Sequence, residues 1–198
     1  MPTDTFLTLL LLAGSAAFTP GPNNALVAAS GANFGYRRSL PHILGISFGF
    51  PVMIFIVGFF LAEIFRHSDL LRETLRWVGV VILLWLAWKV ANTGGLGGAE
   101  GRPRPFSFVE AAAFQWINPK GWAMAIAITS QFVSVEAPLA SAAIVAAIFI
   151  VAGLASASTW ALAGTAIRRV ANTPARKRAV NMAMGALIAG CVLLLLAT

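Results

Sequence analysis

Several things are scarce in this chain. One cysteine, Cys191, occurs in 198 residues, so there is no disulfide framework, no paired thiol and no thiolate metal cluster. Only 7 residues are acidic and 2 are histidine. No apolar run carries a carboxylate pair, a His cluster or an activated nucleophile, which excludes the usual constellations of a membrane enzyme. Nor does any run present the Asp, Glu, His and Cys cluster that would suit a resident metal, so no metal and no cofactor is expected. Charge of either sign is also scarce at 11%, against roughly 25% in a typical soluble domain.

What is abundant is apolar residues. They make up 59% of the chain, with a mean hydropathy of +0.82. The chain belongs in a membrane. About 20 apolar residues cross the hydrocarbon core. Spans are expected near 5–32, 40–64, 71–91, 107–132, 138–167 and 178–197, giving an all-α integral membrane protein of six transmembrane helices in one transporter domain, 1–198. The first run lacks the positive n-region of a secretory signal and reads as a retained span.

The formal charge of +7 could suggest nucleic acid, but the basic residues lie in short connections between apolar runs. Arg37, Arg38, Lys89, Arg102, Arg104, Arg168, Arg169, Arg176, Lys177 and Arg178 fall on one side, and Arg66, Arg72 and Arg76 on the other. By the positive-inside rule the richer side is cytoplasmic and both termini face outward. The tryptophans, among them Trp77, Trp85, Trp88 and Trp122, are numerous enough for interfacial belts.

A glycine-rich, then proline-rich stretch around 92–106 reads as a linker, leaving repeat 1 at about 1–91 and repeat 2 at about 107–198. Ala-Ala-Phe recurs at 16–18 and 112–114, and a helix-breaking cluster follows each copy. The first is Thr-Pro-Gly-Pro-Asn-Asn, 19–24; the second is Gln-Trp-Ile-Asn-Pro-Lys, 115–120. Three spans per half make the second half enter from the opposite face. The result is two inverted three-helix repeats with helices 1 and 4 broken at corresponding places, the pattern that marks a substrate site in secondary transporters. At 1.5 Å per residue, the breaks fall roughly 21 Å and 18 Å from the ends of their spans, near the midplane.

Proline lacks an amide hydrogen and disfavours helix in the residue before it, so each cluster ends one half-helix and starts another. Gly21 with Pro22, and Asn118 with Pro119, are cap and first-turn pairs whose free amides and positive dipole ends suit a carboxylate. Lys120 would sit at mid-membrane, where an ammonium costs roughly 2.5–3.5 kcal/mol on insertion scales. It therefore needs a partner: a substrate carboxylate, Asn23, Asn24, Gln115 or a carbonyl freed by the break. Other carbonyls near 18–20 and 116–117 are expected to accept a substrate ammonium. Glu63 and Glu110 lie close to span ends and read as interfacial, and His42 reads as a surface residue at the start of span 2. Gly45 with Gly49, and Gly153, Ala157, Ala161 and Gly164, permit close helix approach within one subunit or across a homodimer.

The Pro-Gly-Pro-Asn-Asn cluster, the segment at 30–45 with its Arg-Arg loop, Phe-Gln-Trp-Ile-Asn-Pro-Lys-Gly-Trp at 114–122 and Trp-Leu-Ala-Trp-Lys at 85–89 occur in an order that resembles the LysE and RhtB superfamily of bacterial amino-acid exporters. With Trp-Ala-Leu-Ala-Gly at 160–164, the likeness is greatest to the cysteine and O-acetylserine exporter branch. The resemblance implies an inner-membrane carrier that expels an amino acid or derivative using the proton-motive force. It also implies that Pro20, Gly21, Pro22, Asn23, Asn24, Asn118, Pro119 and Lys120 surround the path, with Gln115 as a neighbour. A carrier of metal ions or other small solutes, and a non-transporting membrane assembly protein, remain alternatives on the residues alone.

Overall fold

The structure is a computed structural model and describes residues 3–61, 104–134 and 136–170, with scattered positions within 74–92 and 173–190. Much of the expected third and sixth spans, and of the linker at 92–106, lies outside the described residues.

The described elements are all helical. Helix α1 (Thr3–Phe18) buries only Leu9 and Ala13 and leaves Leu7 and Leu11 exposed, as a helix against lipid would. It ends ahead of Pro20, which disfavours helical geometry in Thr19. Helix α2 (Pro22–Phe34) restarts with its axis bent by 55° from α1. Ten of its residues are buried, most of them alanine, serine or glycine, so neighbouring backbones can reach it.

A single residue joins α2 to α3 (Tyr36–Ile56). Gly35 has φ 80° and ψ 164°, a region costly for any residue with a Cβ. The second span therefore begins at Tyr36 rather than near residue 40, and Arg37 and Arg38 occupy its first turn instead of a loop. Helix α3 then passes into a π-helical turn, Val57–Leu61.

The fourth span opens with a capping box at α4 (Phe108–Phe114). Ser107 Oγ accepts from the Glu110 amide at 3.2 Å, and Glu110 Oε2 accepts from the Ser107 amide at 2.7 Å. Arg104 pairs with the same carboxylate at 2.6 Å, and the Glu110 hydrogen bond and charge raise the guanidinium pKa further. A 3₁₀ turn (Gln115–Ile117) and an extended Asn118 separate α4 from α5 (Pro119–Phe132). Helix α6 (Pro138–Val170) runs unbroken for 33 residues, about 50 Å.

Glycine governs how closely these helices pack. A Cβ on Gly31 would run into the Ala161 carbonyl oxygen, and one on Gly164 into that of Ala28. Here α2 and α6 touch backbone to backbone. Gly45 faces Phe108 and Ala111, and Gly49 faces Ala112, so the GxxxG pair packs α3 on α4 within the chain. Leu9, Met53, Ile128, Val145 and Phe149 form the apolar core shared by α1, α3, α5 and α6.

These contacts also fix the helix directions. Gly45 and Gly49 face successive turns of α4, while Gly58 meets Thr129 and Val133, so α3 and the α4–α5 span run the same way. Ser47 lies against Gly153 and Gly58 against Ala142, so α6 runs the opposite way. Hydrogen bonds from Ser156 to Ala17 and from Thr165 to Gly31 show α1 and α2 running with α6. Tyr36–Phe59 and Pro138–Ile167 are long and apolar enough to cross a membrane, and the bent α1–α2 pair would make a third crossing.

Candidate functional site

Each interrupted span frees backbone groups from their helical partners, and such groups must be satisfied locally. At the first break, Asn24 Nδ2 donates to the carbonyls of Ala17 (2.9 Å) and Thr19 (3.0 Å), turning the asparagine back over the residues that lost their helix. Ser156 Oγ on α6 donates to the same Ala17 carbonyl at 2.7 Å. At the second break, Asn118 caps α5 by accepting from the Lys120 amide at 3.2 Å. The Trp122 indole N–H donates to the Trp116 carbonyl at 2.8 Å, and the two rings meet edge to face. Trp122 is buried. It therefore does not join an interfacial belt, because it lies one turn beyond the break and its N–H satisfies a freed carbonyl.

The two breaks meet each other. Lys120 Nζ donates to the carbonyls of Thr19 (2.9 Å) and Pro20 (3.3 Å), about a hundred residues away in sequence. Asn23 Nδ2 donates to Gln115 Oε1 at 2.7 Å and accepts from Gln115 Nε2 at 3.3 Å. Gln115 Nε2 also donates to the Ala111 carbonyl at 2.8 Å, which sets the orientation of both amides, since a flipped Gln115 would point oxygen at oxygen. Of the carbonyls expected to accept a substrate ammonium, those of Thr19, Pro20 and Trp116 already have protein donors in this state.

Between the breaks lies a cavity of about 60 Å³, space for roughly four waters. Gly21, Asn23, Asn24, Asn118 and Lys120 contribute its polar side, and Phe50, Met124 and Phe149 its apolar wall. Helices α2 and α5 both begin beside it and run in opposite directions, so two positive dipole ends converge there. Gly21 gives α2 no side-chain cap. Gln115, fully buried, stands behind the cavity and holds Asn23; Pro22 and Pro119 are first residues of α2 and α5, and Pro20 offers its carbonyl.

Two groups escaped the sequence reading. Ser156 lines the cavity from α6, and its only sequence signal is a hydroxyl interrupting a stripe of small residues. His42, expected at the surface, is 2% exposed. Its Nδ1 is hydrogen-bonded to Ser30 Oγ at 2.8 Å, and its ring lies against Phe106 at 4.9 Å. Because α3 starts earlier than expected, His42 falls in its second turn, on the face that also carries Ile46, Gly49 and Met53.

An all-helical membrane protein with a small polar cavity between two interrupted helices has the architecture of a transporter. Residues 14–198 match the LysE type translocator family. The chain is similar to the cysteine/O-acetylserine efflux protein of Salmonella typhimurium (strain LT2), with 31% identity over 179 residues, 88% of this chain and 89% of that protein. Its likeness to the protein of the same description in Escherichia coli (strain K12) is 30% over 183 residues, with the same coverage. No solved structure matches it. The chain belongs to the LysE type translocator family, and so is a membrane transporter and not an enzyme.

Proposed function

We propose that this protein is a secondary exporter of amino acids or their derivatives, neutral and of the cysteine or O-acetylserine kind. It would expel them from the bacterial cytoplasm across the inner membrane by alternating access, driven by the proton-motive force. The observation that carries the reading is the crossing of the two breaks, where Lys120 reaches from one to the carbonyls of the other. A zwitterion would lie in the cavity with its carboxylate between the starts of α2 and α5, and Lys120 would balance that charge. Asn23 and Asn24 would orient it, while Pro20, Gly21, Pro22, Gln115, Asn118 and Pro119 keep both segments open. The names of the similar efflux proteins support the substrate class.

The wider architecture belongs to the same proposal: six spans in two inverted repeats, about 1–91 and 107–198, joined by the 92–106 linker, with both termini outside and both breaks near the midplane. The opposed directions of α2 and α5 support it, since an inverted repeat presents its two broken helices in that way. A metal-ion carrier is less well supported, because no group of three His, Cys, Asp or Glu residues stands together among the described residues.

The test is efflux of labelled O-acetylserine, cysteine and other neutral amino acids from loaded proteoliposomes under an imposed pH gradient. A charge-assisted hydrogen bond contributes about 1.5–3 kcal/mol, so Lys120→Ala should slow efflux about 10- to 100-fold. Efflux by Lys120→Ala and Asn23→Ala as fast as by the parent would remove the site, and a parent that moves none of these solutes would remove the function.

A further inference from the structure

The Lys120 ammonium sits on backbone oxygens. Its Nζ lies 2.9 and 3.3 Å from two carbonyls that the Pro20 break took out of α1. These two oxygens, the nearer one also accepting from Asn24, engage two of the three N–H donors of a primary ammonium. The side chain reaches them by passing over Gly21, where a Cβ would lie 2.9 Å from both Cδ and Nζ of Lys120.

We propose that the Thr19 and Pro20 carbonyls are the subsite for the substrate's α-ammonium, and that Lys120 fills it as a tethered stand-in whenever the transporter is empty. This rests on the exporter reading above. Carbonyls freed from a helix are costly wherever neither water nor another donor reaches them, and Lys120 covers these two without cargo. An arriving zwitterion brings its own ammonium, and the two cations cannot share the same oxygens. Lys120 is displaced into the adjoining cavity and pairs there with the carboxylate the cargo carries. Loading exchanges one ammonium for another and adds no net charge. Both ends of the zwitterion are then needed: a simple amine offers Lys120 no carboxylate and leaves it in place, and an N-acylated amino acid offers a carboxylate but has no ammonium to take over the carbonyls.

The experiment is chemical rescue on the purified full-length chain, followed by thermal unfolding. Lys120→Ala should melt lower than the parent, and ethylammonium should raise its melting temperature by several degrees in a saturable way. Tetramethylammonium at the same ionic strength should not, because it has no N–H to donate. The parent should respond to neither, since its own ammonium is in place. Gly21→Ala provides an independent route: Gly21 is extended, with φ −169°, so alanine fits the backbone while its Cβ pushes the lysine aside. That variant should also gain the ethylammonium response. Equal responses in parent and variants, or none in any of them, would overturn the inference. Efflux by the parent separates the two readings: export without rescue sinks only the stand-in, and rescue without export sinks the exporter.

Discussion

Gln115 does not line the cavity, yet it fixes a residue that does. Its amide pairs with Asn23 across 92 positions of sequence and is anchored in turn on Ala111. Replacing it with leucine leaves the Asn23 amide without that partner, and Gln115→Leu should lower stability by about 1–2 kcal/mol in a detergent unfolding titration. Because the two amides act as a unit, the Asn23→Leu/Gln115→Leu double variant should lose less than the sum of the singles, with a coupling of about 0.5–3 kcal/mol. The polar residues themselves could be picked out in the sequence, since each is out of place in an apolar run. Their pairing could not, because nothing local says which amide faces which across the fold. A freed carbonyl was among the partners expected for Lys120; which carbonyls it would reach depends on how two distant segments pack. His42 lies in the core and not at the surface for a simpler reason, the earlier start of its helix.

At the scale of elements, the breaks were legible because proline acts on its immediate neighbours, and α2 and α5 begin at Pro22 and Pro119 as expected. The start of α3 was not legible, since it depends on one glycine adopting a left-handed link that a run of similar residues does not announce. Glycine also gives a sharp comparison. Gly31→Ala drives a methyl group into the Ala161 carbonyl, a backbone contact with little room to yield, and should cost about 1–3 kcal/mol. Gly14→Ala meets nothing within 4 Å and should be neutral or stabilising by up to about 1 kcal/mol. Thermal unfolding of the two variants beside the parent checks both. At the head of α4, Ser107→Ala removes one half of the capping box and should cost about 1 kcal/mol.

For the whole molecule, the expected topology places Arg38 and Glu136 on opposite faces of the membrane, and both are exposed. Single cysteines there, in a Cys191→Ser background, should react with an impermeant maleimide from opposite sides. Arg38→Cys should label in inside-out vesicles and Glu136→Cys in intact cells. Labelling of both from one side would refute the six-span topology. This side assignment rests on the segregation of basic residues, and needs only composition and span count. The depth of each break within the bilayer is a property of packing, and a single chain of letters does not carry it.

The backbone seam between α2 and α6 has a mechanical consequence. Where Ala28 and Gly31 meet Ala161 and Gly164, neither surface has side chains long enough to interlock. With no side chain there to change rotamer, the separation of the two helices is set by their backbones alone. The seam thus works as a spacer of fixed width, and any larger residue inserted in it has to push two main chains apart.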